Sequence, residues 1–256
     1  MTESTLFEIK DQCAWIRLNR PENRNALSAE LVNELFAHLN EANTNDDVRV
    51  IVLTGMGPAF CAGADLKSPP GQSIDGGGKS IPLSDVLMAM WDSPKPIIAA
   101  VNGAAFGGGL GLVAAADIVI AAEEVPLSFS EVKLGVIPAV ISVVCLPKLG
   151  THTAMKLFLT GERFNGSDAV RHGLAHIAVP MAELDKAIEK EIKAIKSAGP
   201  KAIAECKKLI RRIPQLSMQD GFEEATKWSV RMFKSEEAQE GMAAFREKRK
   251  PNWIGE

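Results

Sequence analysis

Short hydrophobic runs alternate with polar and glycine-rich segments through the first half of the chain. Leu6 to Lys10 and Cys13 to Leu18, separated by two polar residues, predict a β-hairpin. The apolar runs Arg49 to Leu53, Ile97 to Val101 and Asp117 to Ala121 predict buried strands. Two strands followed by a helix recur along this half, which indicates an α/β fold of stacked ββα units rather than regular βαβ alternation.

Helical patterns dominate the second half of the chain. In the first half, leucines spaced by four residues after Ser28, a good N-cap, predict one helix, and others are predicted at Leu83 to Trp91 and Gly108 to Ala116. After Pro138 the predicted helices are Thr151 to Leu159, Ser167 to His172, Met181 to Ser197, Pro200 to Arg211 and Met218 to Lys248, the last broken near Ser235. We expect a core of residues 1–199 and a C-terminal helical region of residues 200–256.

Composition excludes several classes of function. The net charge of −3 gives no electrostatic basis for binding nucleic acid or an anionic membrane. The four cysteines are scattered, without a metal-binding or redox pair, which is typical of a reducing compartment. Met1 to Lys10 lacks an apolar signal core, and no apolar run is long enough to span a bilayer. We therefore expect a cytoplasmic protein that uses no metal.

A loop of small residues, Phe60 to Leu66, is the first candidate site. Small residues let a ligand approach the main chain closely, and the N–H of Ala64 is free if this loop does not continue a sheet. The alternative is a tight strand-to-helix connection, in which Gly63 adopts an unusual φ and Asp65 caps a helix.

The second candidate is Val101 to Gly111, where a strand leads through consecutive glycines into a helix. Helix N-termini carry free N–H groups and a partial positive charge, which favour a polar ligand atom. A dinucleotide site is excluded because no G-x-G-x-x-G spacing is present. Helix packing through small residues is an equally good interpretation of the segment alone.

The third candidate is Glu131, within the mainly apolar segment Leu127 to Pro138. Burial in such surroundings raises a carboxyl pKa, which suits a general acid or base near neutral pH. The alternative is a surface glutamate that pairs with Lys133.

Taken in this order, the three segments resemble the enoyl-CoA hydratase/isomerase, or crotonase, superfamily. The matching motifs are C-A-G-A-D-L, N-G-x-A-x-G-G-G and S-E-x-x-L-G-x-I-P, with L-N-R-P-x-x-x-N-A-L from Leu18 and E-G-M-A-A-F-x-E-K-R-K-P from Glu240. The resemblance covers almost the whole chain. It implies a crotonase-like spiral of ββα units, a C-terminal helical trimerisation region, homotrimers or hexamers, and an acyl-CoA substrate with no separate cofactor.

The resemblance also implies roles for individual residues. Ala64 and Gly108 would donate the two N–H groups of an oxyanion hole, and Glu131 would move the proton. Coenzyme A would be contacted by Arg24, Ala62, Asp65 and Leu66, and by Phe245 and Lys248, the last two from the same or a neighbouring subunit.

One position departs from the usual hydratase pattern. Family hydratases carry a second glutamate shortly after the glycine triplet, where this chain has Gly111. Glu131 alone could take and return the proton in hydration, or could move a double bond as in a Δ3,Δ2-enoyl-CoA isomerase. The runs Ala105 to Leu112 and Leu134 to Ser142 resemble methylglutaconyl-CoA hydratase-type members of the family. These members also have glycine at this position, which favours hydration. A non-catalytic acyl-CoA-binding protein is the third hypothesis, and we expect Ser68 to Ser80 and the following helix to shape the acyl pocket.

Overall fold

Two β-sheets organise the computed structural model, which describes residues 3–67 and 80–254. The strands are β1 Thr5–Lys10, β2 Cys13–Leu18, β3 Val50–Gly55, β4 Ala59–Cys61, β5 Ile97–Val101, β6 Ala104–Phe106, β7 Ile118–Ala122, β8 Leu127–Ser128 and β9 Ile177–Val179. The larger sheet has the order β1-β2-β3-β5-β7-β9 and the smaller one the order β4-β6-β8. Only the β1–β2 hairpin is antiparallel among these described strand pairs.

Helices cover both faces of the larger sheet. The α-helices within the described ranges are α1 Ala29–Thr44, α2 Leu83–Asp92, α3 Gly108–Ala115, α4 Ala139–Thr160, α5 Gly166–Arg171, α6 Leu184–Ser197, α7 Pro200–Arg212, α8 Met218–Phe233 and α9 Glu236–Glu247. Short 3₁₀ segments lie at Pro21–Asn23, Ser130–Leu134, Met181–Glu183 and Ile213–Gln215.

The chain repeats one unit, in which a strand of each sheet is followed by a helical segment. The pairs β3–β4, β5–β6 and β7–β8 each place their first strand in the larger sheet and their second in the smaller one. Because all three units run parallel, the chain advances as a spiral. The predicted ββα spiral is confirmed, although β4 and β6 were not predicted as strands.

Side chains of the central strands point alternately to the two faces of the larger sheet, which divides the core into two layers. Ile51 and Leu53 of β3 pack towards α1, α2 and α3, whereas Val50 and Val52 pack towards α6. Both faces of the sheet are therefore covered, which is why these strands are continuous apolar runs in the sequence.

The structure corrects the prediction by adding a helical segment before Thr151. Helix α4 consists of two helical segments joined at a kink, where Gly150 has a non-helical φ of 67°, and the first segment begins at Ala139 and contains Pro147. The β-branched residues and the proline in its first half hid the helical pattern. A second correction is β9, which lies in the stretch that was predicted to be largely helical.

Buried ion pairs fasten α7 to the core. The Lys207 ammonium lies 2.5 Å from Asp117, and the Arg211 guanidinium lies 3.1 Å from the other oxygen of the same carboxylate. Asp117 also accepts a hydrogen bond from the N–H of Ile97 at the start of β5. Arg211 in turn stacks over the Trp91 ring at 4.4 Å. These contacts join the C-terminal helices to the sheet, and the boundary near Pro200 stays a prediction.

Two expectations from the sequence concern other parts of the chain. Among the described helices, none is long and apolar enough to cross a membrane. The segment Ser68 to Ser80, expected to shape the acyl pocket, falls outside the described residues except for Ser80.

Replacing Asp117 with alanine should lower the free energy of unfolding by about 3 kcal/mol, because it leaves the Lys207 ammonium buried without its partner. Urea denaturation followed by circular dichroism measures this change. As a control, Glu223→Gln breaks an exposed ion pair with Lys227 and should leave stability unchanged. Equal effects of the two substitutions would contradict the proposed role of Asp117.

Candidate functional site

The segment from Arg20 to Leu27 lies along the loop that follows β4. The N–H of Leu27 donates to Gly63 O at 2.8 Å, and the N–H of Ala62 donates to Arg24 O at 3.0 Å. The Asn25 side chain donates to Ala59 O at 2.7 Å, inside the core. The first candidate loop is therefore held by backbone bonds and by one buried amide.

An ion pair closes the same junction. The Arg20 guanidinium lies 3.0 Å from Asp65, and both side chains are largely buried. Arg20 also donates to Ala26 O at 3.0 Å. Asp65 is therefore engaged within the protein, where it holds the loop through Arg20 and also accepts a hydrogen bond from the N–H of Lys67 at 3.1 Å.

The glycine-rich segment before α3 packs directly against this loop. Gly63 has φ of +86°, and a Cβ at this position would lie 2.8 Å from Phe106 O and 3.4 Å from the Gly108 N. Only glycine permits so close an approach together with this backbone angle. The structure thus brings together the first and second candidate segments, whose contacting residues Gly63 and Phe106 lie 43 positions apart in the sequence.

Two backbone N–H groups at this junction are not used by the fold. Leu27 and Ala64 form a parallel bridge, in which the N–H of Leu27 donates to Gly63 O and the N–H of Asp65 donates to Leu27 O. The N–H of Ala64 takes no part in these hydrogen bonds. Gly108 is the first residue of α3, where an N–H has no partner within the helix. Neither N–H has an acceptor among the residues that the structure describes.

Glu131 lies beside the start of the same helix. A Cβ at Gly107 would lie 3.0 Å from Glu131 Oε1, so the carboxyl contacts the residue that precedes Gly108. Its Oε2 is buried and has no hydrogen-bond partner among the described residues. Burial raises the pKa of the Glu131 carboxyl above its ordinary value, and a hydrogen bond with its own backbone partly opposes this shift. The alternative of a surface pair with Lys133 is not observed.

Gly111 faces a filled space. A Cβ at Gly111 would lie 3.0 Å from Ile141 Cβ, closer still to Ile141 Cγ2, and 3.7 Å from Leu87 Cδ1. Both Ile141 and Leu87 are buried. A larger side chain at position 111 therefore cannot fit unless Ile141 moves.

The other residues predicted to bind coenzyme A occupy two regions. Arg24 is exposed, Ala62 is partly buried, and Leu66 presents 73% of its surface to solvent, all on the junction described above. Phe245 is 86% exposed on α9, and Lys248 caps the end of that helix with φ of 57°. The binding roles of these six residues, including Asp65, stay predictions.

Three residues of the site were not identified from the sequence. Arg20 lies within the N-terminal motif, and Gly107 lies within the glycine run, so both carried a local signal. Ile141 gave no local signal in the sequence, because its contact with Gly111 joins residues that are 30 positions apart.

Comparison with known proteins identifies the family. Residues 8–256 match the family model described as enoyl-CoA hydratase/isomerase. The chain is 35% identical to the enoyl-CoA hydratase EchA19 of Mycobacterium tuberculosis over 97% of this chain and 95% of that protein. It is 33% identical to a peroxisomal Δ(3,5)-Δ(2,4)-dienoyl-CoA isomerase of Arabidopsis thaliana, over 98% and 94% of the two chains.

A solved structure agrees with this assignment. An enoyl-CoA hydratase from Shewanella pealeana matches with a TM-score of 0.90 and 32% identity, over 98% of this chain and 96% of that one. The chain therefore belongs to the enoyl-CoA hydratase/isomerase family, and the resemblance stated from the motifs is confirmed.

Glu131→Gln should make the protein more stable at neutral pH. The pKa of Glu131 is higher in the folded state than its ordinary value of 4.5, so the folded state binds the proton more tightly. The free energy of unfolding therefore falls as pH rises through the interval between these two pKa values. Above that interval the neutral amide avoids the cost of a buried charge, and below pH 4.5 the advantage should disappear.

Thermal unfolding of the parent and the variant across this pH range measures the difference. Glu124→Gln, in the exposed turn before β8, serves as the control and should leave the pH dependence unchanged. A variant that is less stable than the parent at neutral pH would show that the Glu131 carboxylate is stabilised by its surroundings.

Proposed function

We propose that this protein is an enoyl-CoA hydratase that adds water across the 2,3-double bond of an enoyl-CoA thioester. The N–H groups of Ala64 and Gly108 bind the thioester oxygen, and Glu131 acts as the single acid and base. The observation that carries this proposal is the position of the Glu131 carboxyl, which has one buried, unpartnered oxygen beside the first turn of α3.

The thioester chemistry requires a site for negative charge. When a nucleophile adds at the β-carbon, the electrons of the double bond move to the thioester oxygen and form an enolate. Preset N–H donors in a site without water stabilise that oxygen strongly, and the N-terminus of α3 adds a partial positive charge. The two N–H groups without acceptors at the loop junction supply this arrangement.

Glu131 can complete the reaction alone. As a carboxylate it takes a proton from water while the water oxygen bonds to the β-carbon. The resulting carboxylic acid then gives the proton to the α-carbon as the enolate collapses. The raised pKa of Glu131 brings its two protonation states closer in free energy near neutral pH, as a group that both accepts and donates a proton needs. These steps use no metal or redox cofactor.

Coenzyme A would extend from the junction over the surface around Arg24, Ala62 and Leu66. Asp65 contributes by holding this loop through Arg20. Phe245 and Lys248 would reach the coenzyme A of the same or a neighbouring subunit in a homotrimer or hexamer. We also propose a cytoplasmic location, with all four cysteines free.

The alternative function is Δ3,Δ2-enoyl-CoA isomerisation. Glu131 would take a proton from the α-carbon of a 3-enoyl-CoA and return it to the γ-carbon. The observation that favours this reaction is the contact between Ile141 and Gly111, which leaves no room for a second carboxyl group that could hold water. Both reactions use the same oxyanion site, and the names of similar proteins include an enoyl-CoA hydratase and a dienoyl-CoA isomerase, which also moves double bonds.

Glu131→Gln should reduce kcat for hydration of crotonyl-CoA by about 10²–10⁴-fold, because the amide can neither take nor return the proton. The loss of enoyl absorbance measures hydration, and product analysis with a 3-enoyl-CoA in deuterated water detects isomerisation. Glu124→Gln serves as the control with full activity. A Glu131→Gln variant with the parent rate would remove Glu131 from the mechanism, and tight binding without turnover in the parent would indicate an acyl-CoA-binding protein.

Ala64→Pro should reduce kcat by about 10²–10³-fold, because proline removes one donor to the thioester oxygen. The fold uses no hydrogen bond from this N–H within the described residues, so the substitution removes none of the fold's own bonds. Ala64→Ser keeps the donor at the same exposed position and should retain most of the activity. Thermal unfolding of both variants checks their folds, and equal kcat values would exclude Ala64 as a donor.

A further inference from the structure

The contacts of α3 place Glu131 and Ile141 about one helical turn apart. The Glu131 carboxyl lies against Gly107, the N-cap of this helix, and Ile141 lies against Gly111. The N–H of Gly111 donates to Gly107 O at 3.2 Å, so the two glycines are separated by one helical turn, or about 6 Å along the helix axis.

Helix α4 supplies a second neighbour of the carboxyl. Cys145, one turn after Ile141, lies with its Sγ 3.9 Å from Leu110 O. Burial, and after it the charge of Glu131, raise the pKa of the Cys145 thiol to about 12. The thiol is therefore neutral, and α4 presents an apolar surface beside the carboxyl.

The space beside Gly111, one helical turn from the Glu131 carboxyl, is filled by apolar side chains. Ile141 is 2% exposed, and its methyl group fills the position that a side chain at Gly111 would need. Leu87 of α2 closes the same space from a second direction. Hydration needs a water molecule at the carboxyl, whereas double-bond migration needs only the carboxyl and the substrate.

We propose that Ile141 is a specificity-determining residue, which sets the balance between hydration and double-bond migration by excluding water from the space beside Gly111, one helical turn from the Glu131 carboxyl. This inference rests on the proposed function, because it assumes that Glu131 carries the proton in both reactions. A smaller side chain at position 141 opens room for water beside Gly111. It therefore favours hydration, in which Glu131 takes a proton from water while the water oxygen bonds to the β-carbon.

The test compares two specificity constants in the same preparation. We measure kcat/KM for hydration of a 2-enoyl-CoA and kcat/KM for migration of the double bond in a 3-enoyl-CoA. Their ratio does not depend on the fraction of active enzyme, so partial unfolding of a variant does not alter it. Ile141→Ala should raise the hydration-to-migration ratio by about fivefold or more, which corresponds to about 1 kcal/mol in relative barrier height.

Two further variants complete the design. Ile141→Val removes one methylene group, perturbs packing less, and should raise the ratio by a smaller amount. Leu149→Ala removes the same number of carbon atoms from the same helix, eight residues or about 12 Å further along, and should leave the ratio unchanged.

Every outcome decides the proposal. Three results would overturn the role of Ile141 and leave hydration by Glu131 in place. They are a rise of less than fivefold in Ile141→Ala, an equal rise in Leu149→Ala, and a parent enzyme without detectable migration. Absence of both reactions in the parent, or full activity in Glu131→Gln, overturns the proposed function itself.

Discussion

The site depends on contacts between backbones that side chains would prevent. A Cβ at Gly63 would lie 2.8 Å from Phe106 O, which is too close, and a Cβ at Gly107 would lie 3.0 Å from Glu131 Oε1, which is a tight contact. These contacts bring a loop after β4, the first turn of α3 and the 3₁₀ segment after β8 to one point. Because N–H groups from a loop and a helix N-terminus meet there, the protein gains hydrogen-bond donors without any polar side chain in the core.

The spiral explains why those three segments meet. Strands β4, β6 and β8 are parallel neighbours in the smaller sheet, so the segments that follow them leave from the same edge. Each segment then carries one residue of the candidate site: Ala64, Gly108 or Glu131. The Arg20–Asp65 pair and the Asn25 amide hold the first segment in place, and α4 packs against the third.

Much of this arrangement could be predicted from the sequence, for physical reasons. Strands β3, β5 and β7 are buried on both faces, so they are continuous apolar runs, and Ser28 marks a helix start because its side chain caps α1. Strands β4 and β6 have three residues each, and they could not be predicted because the small residues around them are equally common in loops. The first half of α4 was missed because Pro147 and β-branched residues obscure its periodicity.

The contact between Ile141 and Gly111 could not be predicted from the local sequence. A glycine in a helix costs stability, and the sequence shows only that a carboxyl group is missing there. The structure gives the glycine a packing role, since it lets α4 approach α3 closely enough for Ile141 to contact the helix backbone. The same contact leaves no room for an acidic side chain at position 111. Because burial raises the pKa of Glu131, the candidate site has one carboxyl group with a raised pKa where a second acid would need the space that Ile141 fills.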